Sequence, residues 1–579
     1  MKMSKNKCML CGEDARHRLE NGLFFAALMA VSCFLFWKCQ FGFGNMDESF
    51  YLTIPYRLYL GDGLFQEEWH LSQMAGVLTL PAVALFLEST GSTEGILLAM
   101  RYVCTLAQCI TAVFLYLRLK RINWLGAAVA VISYVLYIPF GIMALSYNSM
   151  GILFLLQSQV ILLTTWKRVG VQYAFAGLSF AASVLCCPYL LSVYVLYIAV
   201  VAVLFVRSRK TGVAVADSLW SVKGAVCFTA GAAFAAAMFA AFVLSRSSLS
   251  GIVKAFYYIF DDPEHPPIPA YWKFRQFFDV IIHANECTQT IYCVLAVLGA
   301  LCLLDKKRMQ RKLIYTGTVT ACILALMLSL FLKNHYINHI MWAVNLFAPF
   351  LILLSRDRWI RKLFILLWIP GIMYAYCLNL TSNQAFFAIS SASSVATAGS
   401  LMMLALYLKE LIDENHGILG KRIVLCGLCL VFLTQLYTQG VMRYESVFWD
   451  GSMDSLKFQA DRGVEKGLWM TEAPFDVYQQ SLAVSEKVAE YNKDKVLYLS
   501  IYTWYYLMSD QEMCTFSAWM SGINEHSLYR LGGYYEINPH KLPQIVYAEA
   551  QYEEIAEAFC QQFGYEMQII DEGIILLPE

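Results

Sequence analysis

Charge is scarce in this chain. Of 579 residues only 15% are Asp, Glu, Lys or Arg, while 59% are hydrophobic; soluble domains average about 25% charged. No soluble core of this size hides so much apolar surface, which excludes an ordinary cytosolic enzyme. The same composition excludes a disordered or fibrous chain. Net charge is lacking too: 43 basic residues meet 43 acidic ones, which argues against a nucleic-acid binder. The sequence has no G-x-G-x-x-G, no H-E-x-x-H and no internal repeat. It also lacks a Walker loop, which argues against an ATP-driven transporter. A separate cleavable signal is missing: the first apolar run is long enough to span a membrane and has no clear A-x-A site, so it reads as an anchor. Cysteine is sparse in the last 139 residues, where only Cys514 and Cys560 occur and a disulfide between them stays open. The other cysteines lie mostly in apolar runs, where they act as small apolar side chains. Cys8 and Cys11, with His17 six residues on, have no second pair to complete a zinc site.

What is present divides the chain in two. Up to Gly440 the net charge is +13; from Val441 onward it is −13. The first part reads as a membrane region (1–440) and the second (441–579) as a small α/β domain. A membrane helix needs about 20 mostly apolar residues. Qualifying runs lie near 22–39, 101–117, 124–142, 149–166, 171–187, 188–206, 224–244, 289–304, 313–332, 337–355, 363–380, 388–408 and 423–440, which makes thirteen spans of an all-α polytopic protein. In the tail, KVLYLSI (495–501) and QIVYAE (544–549) predict strands, 550–563 a helix, and YEMQIIDE with GIILLPE a final hairpin.

Positive charge marks the cytoplasmic side. With thirteen spans, the N-terminal tail and the clusters at 118–121, 167–168, 207–210, 306–312, 356–362 and 409–422 all fall on one side, with 26 of the 34 Lys/Arg of the membrane region. The expectation is an integral, multi-pass cell-membrane protein with a cytoplasmic N-terminus and an extracytoplasmic C-terminal domain. The stretch 71–87 would reverse every later cluster if it spanned, and Pro81 interrupts it, so it reads as an interfacial helix. The exterior loops are then 40–100, about 142–148, 245–288, 333–336 and 381–387. Two of them are long, and long loops are usually functional.

The first of these loops opens on Asp47-Glu48, just beyond span one. It continues through SFYLTIPYRLYLGDGLF, an amphipathic segment ending in Gly61-Asp62-Gly63, then through EEWHLSQ into the interfacial stretch. This order resembles the first loop of the membrane glycosyltransferases of GT-C fold. It is most similar to family 39, the protein O-mannosyltransferase and aminoarabinose-transferase type. Those proteins carry an Asp-Glu pair after span one and two juxtamembrane helices with a Gly-Asp segment between them. The resemblance covers 1–440 in architecture and 47–101 in motif. Two departures stand out. Glu68-Trp69-His70-Leu71-Ser72-Gln73 replaces the family's Lys/His-Pro-Pro-Leu segment. Asn148 stands where many members have a second exterior carboxylate.

The resemblance implies transfer of a sugar from a polyprenyl-phosphate donor to a protein, lipid or glycan acceptor at the outer face, with membrane lipids as surroundings and no nucleic-acid partner. Such a reaction needs a carboxylate to take the acceptor's proton and cations or dipoles to stabilise the departing phosphate. Direct displacement inverts the anomeric centre. Asp47 is the implied base, with Glu48 orienting it or a sugar hydroxyl. Candidates for the phosphate are His70, Arg101, Lys273, Arg275 and, in the knot KNHYINH, Lys333, His335 and His339. Ser146, Tyr147, Asn148 and Thr381–Gln384 are candidate sugar hydrogen-bonders or helix caps. The acidic run with Asp261, Asp262, Glu264 and His265 reads as a proline-stiffened loop. No metal or other cofactor is expected, because lipid-linked single-sugar donors do not generally need one in this family. Two other classes fit a multispan chain. A lipid-linked glycan transporter or flippase would want ionisable or Gly/Pro-broken spans near the midplane. A surface-glycan polymerase or ligase would rely on Arg and His in later exterior loops.

Overall fold

A computed structural model of the chain describes residues 2–211, 220–263, 268–334, 337–382, 384–414, 418–445, 448, 450–520 and 522–579. The apolar part is helical throughout. It begins with α1 (Lys2–Lys38), α2 (Asn45–Leu60), α3 (Gly76–Thr90), α4 (Ile96–Leu119), α5 (Trp124–Leu136), α6 (Tyr147–Leu163), α7 (Val169–Cys186), α8 (Leu191–Thr211), α9 (Val222–Leu244) and α10 (Leu249–Phe260). It continues with α11 (Ala270–Ile282), α12 (Thr288–Leu304), α13 (Lys312–Asn334), α14 (Ile337–Asn345), α15 (Phe347–Leu354), α16 (Arg358–Leu363), α17 (Ile369–Thr381), α18 (Ala385–Ala392), α19 (Ser394–Asp413) and α20 (Ile418–Glu445).

Among the described residues, eleven helical stretches are long and apolar enough to cross a membrane, so the chain is a multi-pass integral membrane protein. Ten of them fall on runs predicted from the sequence. The eleventh is Gln73–Thr90, at 18 residues, the stretch expected to lie in the interface; its helix α3 packs along α2. Three predicted spans correspond to shorter helices. The runs 149–166 and 289–304 become helices of 17 residues each, α6 and α12. At 1.5 Å per residue such a helix covers about 25 Å, less than about 30 Å of hydrocarbon. The run 337–355 breaks between α14 and α15. Pro349 has no N–H to give the carbonyl of Asn345, and that carbonyl instead accepts from Trp368 Nε1 at 2.9 Å.

Burial separates core helices from peripheral ones. The stretch Ser394–Asp413 is 83% buried, whereas Pro188–Thr211 and Val222–Leu244 are 11% and 17% buried. Their outward Val203, Phe234 and Met238 form apolar stripes that lipid accommodates and water does not. On α10 and α11, exposed Phe256, Tyr257, Tyr271, Trp272 and Phe274 suit a membrane–water boundary.

After α20 the chain forms a small α/β unit. A short antiparallel pair, β1 (Phe458–Gln459) and β2 (Trp469–Met470), precedes α21 (Glu472–Glu490). Next come β3 (Lys495–Leu499), α22 (Trp504–Met508), β4 (Glu512–Met513), α23 (Glu525–Ile537), β5 (Ile545–Ala548), α24 (Glu553–Phe563), β6 (Tyr565–Ile570) and β7 (Gly573–Pro578). The sheet order is β4-β3-β5-β7-β6, parallel at β3 and antiparallel from β5 to β6. The strands and closing hairpin match the sequence pattern. Cys514 and Cys560 are both free thiols.

This tail unit roofs the first loop. Its docking centres on Arg57, 1% exposed near the end of α2. The guanidinium pairs with Asp62 through Nε and with Glu68 at 3.1 Å. It also donates to the carbonyl of Thr515 at 2.6 Å and to the hydroxyl of Tyr534 at 2.8 Å. Lys541 bridges Asp62 at 2.5 Å and Glu512 at 2.8 Å. Trp69 donates its backbone N–H to Phe516 O at 2.7 Å. Burial raises the pKa of Glu68, while the Arg57 charge beside it pulls the other way.

Removing one partner of a buried ion pair leaves the other without compensation. Arg57→Ala is therefore expected to cost about 3–5 kcal/mol. The readouts are a lowered melting midpoint and tail cleavage at protease concentrations that leave the wild type intact. An unchanged midpoint would show that the tail does not depend on this pair.

Candidate functional site

Span one delivers the chain to α2 through a tight link. Gly42 has φ +98° and Asn45 φ +52°, so the backbone turns sharply before the helix begins. Asp47 and Glu48 occupy the first turn of α2, where the helix dipole favours carboxylates. The two acids then diverge. Glu48 is 2% exposed and meets Arg101 of α4, which is 0% exposed, in a two-pronged pair at 2.6 and 2.5 Å. The same guanidinium donates to the carbonyls of Cys39 at 2.8 Å and Gly42 at 2.9 Å, and stacks over the ring of Phe448 at 3.7 Å. Gly44 makes this approach possible: a Cβ there would stand 2.0 Å from Glu48 Oε2. Arg101, expected to bind phosphate, is thus buried with its N–H groups committed to Glu48 and two carbonyls. Its place in this arrangement is structural, and so is that of Glu48.

A third acid reaches this centre from the tail. Glu465 is 1% exposed, and its Oε2 has no hydrogen-bond partner. Burial pushes its carboxyl well above the usual range; the charge of Glu48 adds to that and Arg101 opposes it. Its surroundings thus favour the protonated form of the carboxyl. The tail also pins the span exit, where Gly42 N–H donates to Trp469 O and Trp469 N–H to Gln40 O, both at 2.8 Å.

Asp47 is half-buried and lies within electrostatic reach of Tyr51, one turn along α2. The Tyr51 hydroxyl interacts with the side chains of Tyr147 and Asn148, and its ring meets Tyr147 edge-on at 5.6 Å. Tyr147 and Asn148 open α6, whose start is fixed by a reciprocal Ser146–Ser149 cap. Asn148 is 4% exposed and its Oδ1 has no hydrogen-bond partner. Burial, reinforced by Tyr147 and Asp47, holds the Tyr51 phenol well above its ordinary pKa, so it remains a neutral donor. The fold therefore gathers Asp47, Tyr147 and Asn148, three residues singled out in the sequence, around Tyr51, which was not.

His70 lies on another side of α2. Its Nδ1 accepts from the Ser72 N–H at 3.1 Å and lies 2.8 Å from the Ser72 hydroxyl, which leaves Nε2 as the protonated nitrogen of the neutral ring. The ring meets Phe50 edge-on at 4.5 Å and borders a small chamber with Trp69, Asp262, Trp519, His526 and Arg530. Lys273 and Arg275 form a separate group on α11. Lys273 is 5% exposed and donates to Ser382 O at 3.2 Å, which brings the second long loop against the 381–384 segment; burial lowers its pKa. Arg275 is exposed and lies 5.5 Å from the Trp272 ring. Thr381 bonds back to Leu378 O, and Ser382 caps Gln384. His335, Asn383, Glu264 and His265 lie outside the described residues, and the side chains of Lys333, His339, Cys8 and Cys11 are likewise outside the description. Among the described residues no group of three or more His, Cys, Asp or Glu side chains is placed to hold a metal ion.

No family model matches the chain, and no curated protein matches it. Among solved structures it is similar to ArnT from Cupriavidus metallidurans bound to undecaprenyl phosphate. That similarity has 11% sequence identity and a TM-score of 0.40, and covers 96% of this chain and 97% of that one. A likeness of this size leaves function to the geometry of the site.

The Glu465 carboxyl yields a pH test. Its folded pKa stands above the ordinary value of 4.5, so the native protein holds a proton that the unfolded chain releases. The stability contributed by this group is fully present below the ordinary pKa and is lost as pH rises toward the raised one. Glu465→Gln keeps the shape without the proton. The melting midpoint of the variant, relative to wild type, is expected to climb as pH rises above 4.5. A constant difference would mean that Glu465 is not protonated in the fold.

Proposed function

We propose that this chain is a membrane glycosyltransferase of GT-C type. It moves a sugar from a polyprenyl-phosphate carrier to an acceptor on the tail side of the membrane, and that side is the extracytoplasmic one. The observation that carries this reading is the division of labour in the Asp47-Glu48 pair. Glu48 is withdrawn into a buried ion pair. Asp47 stays half-exposed on the first turn of α2, beside Tyr51, Tyr147 and Asn148. One carboxylate in that setting suits a single-displacement transfer, which needs one base and no covalent intermediate.

In this mechanism the acceptor hydroxyl approaches Asp47, which takes its proton as the hydroxyl oxygen attacks the anomeric carbon. The bond from that carbon to the phosphate oxygen breaks, polyprenyl phosphate leaves, and the configuration inverts. Tyr51, held neutral, is a hydrogen-bond donor to a sugar or carboxylate oxygen and does not compete as a base. Asn148, with an unmet carbonyl oxygen, is an acceptor for a sugar hydroxyl. Glu48 and Arg101 act through the backbone by fixing the turn that aims Asp47. Cations for the departing phosphate are sought in His70, Lys273, Arg275, Lys333, His335 and His339, the candidates not committed to that pair. The positive-charge bias of the opposite junctions supports the orientation.

Asp47→Ala is expected to lower transfer from radiolabelled polyprenyl-phosphate sugars by about 10²–10⁴-fold while expression and melting midpoint stay at wild-type level. Full activity in that variant would remove Asp47 as the base. Protease added to sealed, right-side-out membranes should cut the tail and spare the N-terminus; the reverse pattern would overturn the orientation and the function with it.

A further inference from the structure

Three helices of the bundle turn polar side chains toward one another deep between the spans. On α20, Gln435, Gln439 and Arg443 recur every four residues and share a face; they are 0%, 1% and 2% exposed. α4 presents Cys104 and Gln108 on the face that also carries Arg101, and α5 presents Ser133 and Tyr134, all of them buried. The three faces are joined. Ser133 donates its hydroxyl to Gln439 Oε1 at 2.7 Å. Tyr134 lies near Thr111 and Cys104, and Arg443 lies within electrostatic reach of Cys39, Cys104 and Arg101.

Six polar atoms along this strip have no hydrogen-bond partner among the described residues. They are Gln108 Oε1, both amide atoms of Gln435, Gln439 Nε2, and Nε and Nη1 of Arg443. Buried polar groups are nearly always paired, and unpaired ones call for water or an ion. A guanidinium stays charged in any protein. Of the nearby carboxyls, Glu48 is taken by Arg101 and burial favours the protonated form of Glu465, while the Lys38 ammonium is held by Tyr444 O at 2.7 Å and lies against Met453 Sδ. A strip with donors and acceptors on facing helices gives each water the two to four partners it needs.

We propose that α4, α5 and α20 enclose a file of ordered water molecules. It runs from Gln435 to Arg443, about 12 Å along the helix axis, and ends beneath the Arg101–Glu48 pair. The waters bridge the unpaired amides and the Tyr134 hydroxyl and solvate the Arg443 guanidinium. This water site does not depend on the transferase reading.

Radiolytic hydroxyl-radical footprinting of the full-length protein in lipid nanodiscs tests it, because the radicals form from water at the site. After correction for intrinsic reactivity toward the hydroxyl radical, which is greater for cysteine and tyrosine than for methionine, Tyr134 and Cys104 should be oxidised several-fold faster than Met327 and Met403, which are equally buried in the apolar core. Rates at Tyr134 and Cys104 no higher than those of the two methionines would overturn the proposal. Gln435→Leu gives a second reading. Against water, leucine strands the bridging molecules and lowers the melting midpoint by about 2 °C. Against a dry strip it removes an unmet amide and raises the midpoint, which would overturn the proposal as well.

Discussion

The guanidinium of Arg101 is buried and cannot give up its charge. The mouth of the bundle is arranged around that constraint. One carboxylate and two backbone carbonyls must converge on it, which fixes the exit of α1, the first turn of α2 and the start of α4 in one geometry. Gly44 leaves the space that Glu48 occupies. The direction of Asp47 then follows, because neighbouring side chains on a helix point about 100° apart. With Glu48 turned inward, Asp47 turns toward the start of α6, where Tyr147 and Asn148 stand. The geometry of one acid is thus a by-product of anchoring the other.

A second buried arginine holds the opposite end of α2. Arg57 binds Asp62 and Glu68 from its own loop and Thr515 and Tyr534 from the tail. Lys541 closes the circuit through Asp62. The helix that carries Asp47 is therefore gripped at both ends and has little freedom to tilt. Buried ion pairs are weak evidence for net stability, but losing one partner leaves an uncompensated buried charge. Here each end of α2 is met by groups from elements distant in the chain.

Local signals carried much of the fold. The apolar runs are helices, the tail strands and hairpin follow their alternation, and the Asp-Glu pair sits on a helix start. Residues 147 and 148 stood out as the polar end of an apolar run, and they reach the Asp47 neighbourhood. Tyr51 was legible in principle, four residues after Asp47 on a helix. What local pattern could not give is pairing across distance. Arg101 looks like an ordinary interface anchor at a span end, and only the folded chain sets it against Glu48. Glu465 belongs to a polar tail segment and shows no sign in sequence that it is buried beside another carboxyl. Span lengths were also imperfectly legible, since hydropathy does not register the helix break before Pro349 or the early end of α6 at Leu163.

The Arg57 circuit has a consequence for how the chain is made. Asp62 and Lys541 are separated by 479 positions, so the first loop is synthesised well before the tail that completes its pairing. Until the tail is translated and folded, Arg57, Asp62 and Glu68 lack partners that finally enclose them, and long-range closure of this kind comes late in assembly. A chain truncated before residue 541 would leave Asp62 without its Lys541 partner in a half-polar loop beside the bilayer. Pairing in the first loop is thus finished by Thr515, Tyr534 and Lys541 of the tail.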